Sequence, residues 1–313
     1  YNYMYKNLII DVNNLWARAF YVCKKETQRM PDLINKTIQH SMKMIFSLQS
    51  KYCDDGIVWL LADNPTSKLI MRKKLSDGKY KANRLKETDG YYRGIDYLII
   101  MLNNYSDKFK SVRLKHLEAD DLVPTILEST IGNSLLVSTD MDWARSIDKN
   151  VDWFNTKQIF SIDNFEQHWK FKPTVDSITL YKSLLGDVSD NINGIKGITE
   201  TVALNIVNNF SSVYDLLDSV KKKLEKSNLL SEFTKTVILK NERHLLMNHN
   251  CIYFCEVDKR EVESCIMNGC FNEKALSILY KTLDFPKGFD ARIHDEQISF
   301  GDIFSSFAQT DRR

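Results

Sequence analysis

The stretch Gly186-Asp187-Val188-Ser189-Asp190-Asn191 places two carboxylates directly after an apolar run. Two further acidic stretches accompany it, Glu118-Ala119-Asp120-Asp121 and Asp140-Met141-Asp142. Charges set among apolar residues are costly to bury unless a counter-charge compensates them. Asp and Glu oxygens with no His or Cys beside them are the usual ligands of hard cations. The three stretches therefore predict a Mg²⁺ or Mn²⁺ site around which the chain is organised.

Acidic residues also follow the apolar runs that are typical of buried strands. The predicted strands are 8–11, 57–63, 111–117 and 135–140, and the acids that end or follow them are Asp11, Asp63, Glu118 and Asp140. Such runs, alternating with helical stretches, predict an α/β fold with a mostly parallel central sheet and helices on both faces. Because ligands bind at the carboxyl edge of an open α/β sheet, we expect these four acids to converge.

The pattern changes after Trp153-Phe154. Within residues 175–250, short helices are predicted at 177–185, 199–209, 213–217 and 233–247. The loop Gly194-Ile195-Lys196-Gly197-Ile198 opens the second of them, and such a loop can present backbone N–H groups to an anion. The predicted domains are an α/β catalytic domain at 1–174, a helical module at 175–250, C-terminal elements packing on the body at 251–290 and a polar tail at 291–313.

A basic segment, residues 66–94, leaves the predicted acidic edge after Asp63 and returns before Glu118. Its cations are Lys68, Arg72, Lys73, Lys74, Lys79, Lys81, Arg84, Lys86 and Arg93, with Tyr80, Tyr91 and Tyr92 among them. Most charge runs are solvated faces. The position of this one predicts a segment that grips phosphates and stacks on bases.

The composition fits a polyanionic substrate. Formal net charge is +2, but many of the 41 acids lie in the clusters, so the rest of the 313-residue chain is strongly basic. No apolar run reaches the ~20 residues of a membrane span, and no signal peptide pattern is present, so we expect no membrane association. The 6 Cys form no C-x-x-C pair, which favours reduced thiols over a zinc site.

Taken in order, these motifs resemble the 5′-nuclease superfamily of flap endonucleases and 5′→3′ exonucleases. The likeness is greatest to bacteriophage members and to the 5′-nuclease domains of bacterial DNA polymerases, and it spans about residues 7–250. It is carried by the three acidic stretches together with Asp11-Val12-Asn13-Asn14, Ala62-Asp63, Tyr80-Lys81-Ala82-Asn83-Arg84, Ser138-Thr139, Trp143 and Gly194–Ile198. The resemblance implies a phosphodiester hydrolase of DNA replication or repair in a bacterial or phage-infected cytoplasm. The RNA strand of RNA–DNA hybrids remains a second possible substrate.

The resemblance further implies two metal ions in one acidic pocket. The implied ligands of the first ion are Asp11, Asp63, Glu118, Asp120, Asp121 and Asp140. Asp142, Asp187 and Asp190 would complete the second, with Asp140 near both. The ions would be two Mg²⁺ or Mn²⁺, one activating the attacking water and the other stabilising the departing 3′ oxygen.

Catalytic and DNA-binding residues are also implied by the resemblance. Lys81 and Arg84 would clamp the scissile phosphate from a helical arch at about 66–94, and Arg18 would contribute from the first helix. Gly194, Lys196, Gly197 and Thr199 would form a helix–three-turn–helix element that holds duplex DNA with a K⁺ ion, and Tyr80 would also contact DNA. Two departures from the family pattern are Val12 and Thr199, which stand where glycine is usual.

Partners and rival functions follow from the same residues. The expected substrate is DNA with a 5′ flap, nick or end, bound by a monomer. Residues 297–304 are similar to peptides that dock into replication clamps, so a clamp or single-strand-binding protein is a candidate partner; a last helix packed on the sheet domain is the alternative. A non-catalytic nucleic-acid-binding homologue and a PIN-type ribonuclease are the rival functions, whereas the lack of a G-x-G-x-x-G motif after the first strand disfavours a nucleotide-cofactor enzyme.

Overall fold

The computed structural model describes residues 4–64, 70–84 and 87–283 of the 313-residue chain. Its strands are β1 Asn7–Asp11, β2 Ile57–Leu61, β3 Phe109–Val112, β4 Ser134–Val137, β5 Val151–Phe154, β6 Ile159–Phe160, β7 Gly186–Asp187, β8 Ile192–Asn193 and β9 Met267–Asn268. Seven of them form one sheet in the order β6-β5-β4-β1-β2-β3-β9, while β7 and β8 form a separate ribbon. The five central strands are parallel and the edge strands β6 and β9 are antiparallel. The predicted mostly parallel sheet is therefore confirmed.

Helices connect these strands. In chain order they are α1 Val12–Cys23, α2 Met30–Tyr52, α3 Ile70–Leu75, α4 Asp89–Tyr105, α5 Ala119–Glu128, α6 Ile162–Trp169, α7 Val175–Leu185, α8 Glu200–Asn209, α9 Val213–Lys221, α10 Glu232–Lys240, α11 Glu242–Ile252, α12 Lys259–Ser264 and α13 Glu273–Thr282. Short 3-10 helices span Met141–Ser146 and Glu225–Leu229. Within the described ranges, no helix combines the length and apolarity that crossing a bilayer requires.

The sheet is covered on both faces, as predicted. Successive side chains of a strand point to opposite faces. In β1, Leu8 and Ile10 pack in the cluster that contains α1, α2 and α4. Ile9 packs in the opposite cluster, which contains α5, Trp143 and α7. Because both faces of these strands are buried, their sequences are continuous apolar runs.

Two predicted elements differ more than the others from those observed. The third strand was expected at 111–117 but lies at Phe109–Val112, because Lys110 interrupts the apolar pattern that would have revealed its start. The chain then forms a loop to Glu118, with His116 at a φ of 71°. The predicted helix 233–247 is two helices, α10 and α11, which meet at Asn241.

The helical region packs directly on the sheet region. Trp143, Ile178 and Leu216 belong to one continuous hydrophobic cluster, so the core does not separate at residue 174. Strand β9 pairs with β3, and α13 packs against α4. The proposed domain boundaries remain predictions. Residues 65–69 and 85–86 of the predicted arch lie outside the described residues, as do 284–290 and the tail 291–313.

Candidate metal centre

The acids at the ends of β1 and β2 are fixed by bonds to neighbouring loops. Asp11 caps α1 by accepting from the backbone N–H of Asn14 at 3.0 Å. Its other oxygen accepts from the Ser138 hydroxyl at 2.8 Å. Asp63 accepts from the backbone N–H of Ala119 at 2.9 Å. These bonds join the end of β1 to the loop after β4, and the loop after β2 to the start of α5, which follows β3, at one edge of the sheet.

Asn13 and Asn14 add further links at this edge. Asn13 accepts from the backbone N–H of Asp63 at 2.9 Å. The Asn14 amide donates to the Thr139 hydroxyl at 2.6 Å and accepts from the Thr139 backbone N–H at 3.2 Å. Since Thr139 precedes Asp140, the first residues of α1 orient acids of both neighbouring strands.

The edge contains a cavity of about 480 Å³. Five of the predicted metal-binding acids line it: Asp11, Asp63, Glu118, Asp120 and Asp140. Lys81 and Arg84 line it as well. The structure therefore brings together carboxylates that are up to 129 residues apart in sequence, at the carboxyl edge where the strand order predicts a ligand site.

Burial disfavours the charged form of several of these acids. Burial raises the pKa of Asp11 to about 7, and the nearby Asp63 adds to the shift. Burial also raises the pKa of Asp120 to about 7, with a contribution from Asp121. The pKa of Asp140 is raised by burial and by Asp142. A cation in the cavity would reverse these shifts, because it stabilises the ionised carboxylates.

Two groups of three acids have ligand oxygens close enough to share an ion. One group is Glu118, Asp120 and Asp121, and the other is Asp142, Asp187 and Asp190. Within each group the ligand atoms lie within 4.8 Å of one another. Their oxygen-only composition suits a hard divalent cation. Among the described residues, these acidic groups therefore could hold metal.

Lys182 of α7 binds the second group and was missed by the sequence analysis. Its ammonium lies 2.5 Å from Asp142 Oδ1, 2.7 Å from Asp187 Oδ2 and 3.8 Å from Asp140 Oδ1. Burial opposes ionisation of Asp142, but Lys182 and Arg145 outweigh it and lower the pKa of Asp142 to about 2. The available signal was a single lysine in an apolar helical run, five residues before Asp187.

Arg72 binds the first group and is likewise buried, at 2% exposure. Its guanidinium makes two bonds to Asp121, at 2.7 and 3.1 Å, and one to Glu118 at 2.5 Å. The expectation that Arg72 grips DNA as part of the basic segment is wrong, because its side chain is enclosed by carboxylates. Asp121 also accepts from the backbone N–H groups of Cys255 and Glu118, so protein donors already occupy both of its oxygens. Its role as a metal ligand stays a prediction.

Tyr80 lies inside the acidic site. Its hydroxyl is 2.8 Å from Glu118 Oε2 and 2.9 Å from Asp190 Oδ2, and its residue exposure is 2%. Stacking of Tyr80 on a DNA base is therefore a wrong prediction, because the ring is buried. The next residue, Lys81, has a φ of 53° and pairs with Glu118, with Asp190 Oδ1 at 3.6 Å.

Residues 79–84, here called the arch base, are bonded to residues 187–191, here called the acidic loop. The Lys81 backbone N–H donates to the Asp190 carbonyl at 2.8 Å, and the Asn191 amide donates to the Lys79 carbonyl at 2.7 Å. The Arg84 guanidinium donates to Asp190 Oδ1 at 2.7 Å and is about half exposed. The two predicted catalytic cations therefore contact predicted metal ligands. Their catalytic roles stay predictions.

The predicted DNA-binding loop has the backbone form that its glycines suggest. A Cβ on Gly194 would lie 2.3 Å from the Leu185 carbonyl oxygen, and Gly197 has a φ of 99°. Thr199 is extended, with a φ of −90°, and caps α8 by accepting from the Val202 N–H, so threonine is unstrained there. Lys196, Gly197 and Thr199 are exposed, whereas Gly194 is half buried. DNA and K⁺ binding by this loop stay predictions, as does catalysis by Arg18 on α1.

Known proteins share this chain's sequence pattern. Residues 6–170 match the family model described as 5′-3′ exonuclease, N-terminal resolvase-like domain. A 5′-3′ exonuclease of Mycoplasmopsis pulmonis is 32% identical over 246 residues, covering 74% of this chain and 75% of that protein. The flap endonuclease of Escherichia phage T5 is 27% identical over 150 residues, covering 46% of this chain and 51% of that protein. DNA polymerase I of Bacillus subtilis is 26% identical over 90% of this chain, which spans only 31% of that polymerase.

Solved structures share the fold. A phage T5 protein co-crystallised with metal ions matches with a TM-score of 0.61 and 18% identity, over 95% of this chain and 99% of that chain. The catalytic core of Rad2 in complex with DNA matches with a TM-score of 0.53 and 13% identity, over 93% of this chain and 92% of that chain. At these identities the likeness concerns the fold, and it agrees with the α/β fold predicted from the sequence.

Proposed function

Because this chain belongs to the 5′–3′ exonuclease family, which includes flap endonucleases, we propose that it is a structure-specific 5′-nuclease of DNA. It would hydrolyse phosphodiester bonds at 5′ flaps, nicks and ends during replication or repair. The observation that carries this proposal is the convergence of carboxylates from four strand ends in one cavity beside two cationic side chains. An RNA strand paired to DNA is a second substrate to test.

The proposed cofactors are two divalent ions, Mg²⁺ or Mn²⁺. Asp11, Asp63, Glu118, Asp120 and Asp140 line the cavity and would hold the first; Asp142, Asp187 and Asp190 would hold the second. Bound there, the ions would supply Lewis-acid activation of water and stabilisation of the departing 3′ oxygen. Asp121 would instead orient Arg72 and the start of α5, because its oxygens accept four hydrogen bonds from the protein.

Lys81 and Arg84 of the arch base would then bind the substrate phosphate. Lys81 and Arg84 line the cavity, and they pair with Glu118 and Asp190, respectively. A phosphate bound next to the arch base would accept hydrogen bonds from Lys81 and Arg84. Because both partners are charged, such hydrogen bonds are stronger than those between neutral groups. Arg18, Lys196, Gly197 and Thr199 would contribute to DNA binding, with K⁺ at the Gly194–Thr199 loop.

A non-catalytic binding homologue is less consistent with this pocket. Carboxylates that face DNA phosphates repel them unless cations intervene. Burial raises the pKa values of Asp11 and Asp120, so their ionised forms are disfavoured in this cavity unless a cation is bound. A protein that only bound DNA would gain nothing from keeping these acids.

The test is a Mg²⁺-dependent digest of three end-labelled substrates: a 5′ flap, a nicked duplex and an RNA–DNA hybrid. We expect cleavage of the flap, loss of cleavage in chelator and strong loss in Asp187→Asn, with DNA affinity retained. Lys81→Ala should reduce the single-turnover rate by roughly 30- to 1000-fold, as expected when a transition-state charge contact is lost. Lys79→Ala is the matched control, because its side chain is exposed. Absence of cleavage with Mg²⁺ and with Mn²⁺ would exclude the proposed activity.

A further inference from the structure

A short segment that begins at the last residue of α11 contacts the buried charged side chains of the site. This segment, residues 252–255, is here called the strap. The Tyr253 carbonyl accepts from Arg72 at 3.1 Å, and the Cys255 backbone N–H donates to Asp121 Oδ1 at 2.9 Å. The Ile252 carbonyl accepts from Arg145, and the Phe254 ring centre lies 3.9 Å from the Arg145 Cζ atom. Four consecutive residues therefore touch the ionic network of the acidic site.

Arg145 is the residue that joins the strap to both acidic groups. Its side chain is fully buried, with 0% exposure. Its Nη2 lies 2.5 Å from Asp120 Oδ2 and 4.0 Å from Asp142 Oδ2. Its Nε donates to the Asp142 carbonyl at 2.8 Å. One guanidinium thus contacts a carboxylate of the first acidic group and both the backbone and the carboxylate of a residue in the second.

The chemistry of arginine suits this arrangement. A guanidinium is planar, holds five N–H donors in fixed directions and stays charged. Stacking against Phe254 fixes its plane, and the Ile252 carbonyl fixes one end of the fork. The remaining donors then determine where Asp120 and Asp142 lie relative to each other. The strap therefore orients the Arg145 guanidinium, and the guanidinium in turn orients Asp120 and Asp142.

We propose that Arg145 is a positioning residue that sets the separation of the two acidic groups. This inference rests on the proposed function, in which Asp120 helps to hold one ion and Asp142 helps to hold the other. Charge compensation alone does not require an arginine here, because Arg72 and Lys182 already pair with acids of both groups. A displacement of reacting groups by about 1 Å can cost about 100-fold in rate, so the spacing of the acids has a large effect on turnover.

The decisive variant is Arg145→Lys, which keeps the charge and loses the planar fork. A lysine is a point charge on a flexible stem and cannot keep the stacking and the three bonds together. We expect single-turnover cleavage to slow by about 100-fold in saturating Mn²⁺, with DNA affinity in chelator within about threefold of wild type. Arg113→Met is the control, because it removes a partly exposed Arg–Asp pair, with Asp96, and neither residue lines the acidic cavity.

Electron paramagnetic resonance of the Mn²⁺-loaded protein supplies a readout that a merely structural role would not change. Two nearby Mn²⁺ ions couple magnetically, and the coupling depends on their separation. Wild type and Arg113→Met should show the coupled spectrum, and Arg145→Lys should show altered or absent coupling with two ions still bound. A wild type without any coupled pair would overturn the two-ion proposal itself, and with it this inference.

The inference alone fails if Arg145→Lys keeps the wild-type coupling and cleaves within about threefold of the wild-type rate. Phe254→Leu tests the same idea without unpairing a buried charge, and it decides the matter if Arg145→Lys does not fold. Loss of the stacked ring should slow cleavage several-fold and alter the coupling, while DNA affinity and the melting temperature stay near those of wild type. An unchanged rate and spectrum in Phe254→Leu would contradict the role of the strap.

Discussion

Replacing Lys182 by methionine should destabilise the metal-free protein strongly. Lys182 is 7% exposed and its ammonium lies 2.5 Å from Asp142 and 2.7 Å from Asp187. Methionine has a similar length and no charge, so the variant leaves two carboxylates buried without their cation. Breaking a buried ion pair by removing one partner costs about 3–5 kcal/mol. With about 2.1 cal/mol/K of unfolding entropy per residue, a chain of 313 residues loses roughly 1.5 °C per kcal/mol, so the melting temperature should fall by about 5–8 °C.

Divalent metal should restore much of this stability, because an ion can take over the charge that the ammonium supplied. A ligand at 100 times its Kd stabilises the folded state by about 2.7 kcal/mol. The assay is a thermal melt in EDTA and over a series of Mg²⁺ or Mn²⁺ concentrations. We expect the metal-induced rise in melting temperature to be larger in Lys182→Met than in wild type. Lys221→Met is the control, because it removes an exposed pair with Glu242.

Two results would refute this reasoning. One is a melting temperature of Lys182→Met in EDTA that equals that of the control variant. The other is a loss of stability that metal does not reduce. The double variant with Asp142→Asn gives a further check, since removing one of the unpaired carboxylates should recover part of the stability in EDTA and weaken the response to metal.

Three further predictions concern pH, a shared hydroxyl and a glycine. In EDTA the melting temperature should fall as the pH rises from 5 to 7.5. Burial raises the folded-state pKa of Asp11 and Asp120 from 3.8 to about 7. In this pH range the folded state therefore binds protons that the unfolded state has released, and raising the pH destabilises it. A melting temperature that rises over this range contradicts the shifts. Tyr80→Phe should cost about 1–3 kcal/mol in chemical denaturation, because it removes the hydroxyl between two buried carboxylates; an unchanged midpoint would argue against that contact. Gly194→Ala should cost about 1–3 kcal/mol, since its Cβ would meet the Leu185 carbonyl oxygen at 2.3 Å, and wild-type stability would show that the loop relaxes freely.

The strand-end acids could be predicted because a local pattern and a general rule were sufficient. Ile57–Leu61 and the other apolar runs indicate buried parallel strands, and the carboxyl ends of such strands meet at one edge. Asp11, Asp63 and Asp140 follow these runs and line the cavity. The third strand was placed too late because a lysine within it hides its start.

The counter-ions of the site could not be predicted in the same way. Each of the three buried cations, Lys182, Arg72 and Arg145, pairs with an acid that lies 25 to 49 residues away in the sequence. No periodicity of the sequence indicates such pairs. Arg72 lies in a run of basic residues, which suggested contact with DNA. Its burial depends on the packing of α3 against α11, and local sequence does not encode that packing.

The bonds between the arch base and the acidic loop have a consequence for synthesis on the ribosome. They join residues about 110 positions apart, and the strap adds contacts from residue 252 onward. At roughly 5–20 residues per second, about 12–50 s separate the emergence of Asp11 from that of Ile252. Until then Asp121 and Arg145 lack the contacts with the strap that orient them. We therefore expect a nascent chain to be inert toward the nucleic acids around it until the strap has left the ribosome.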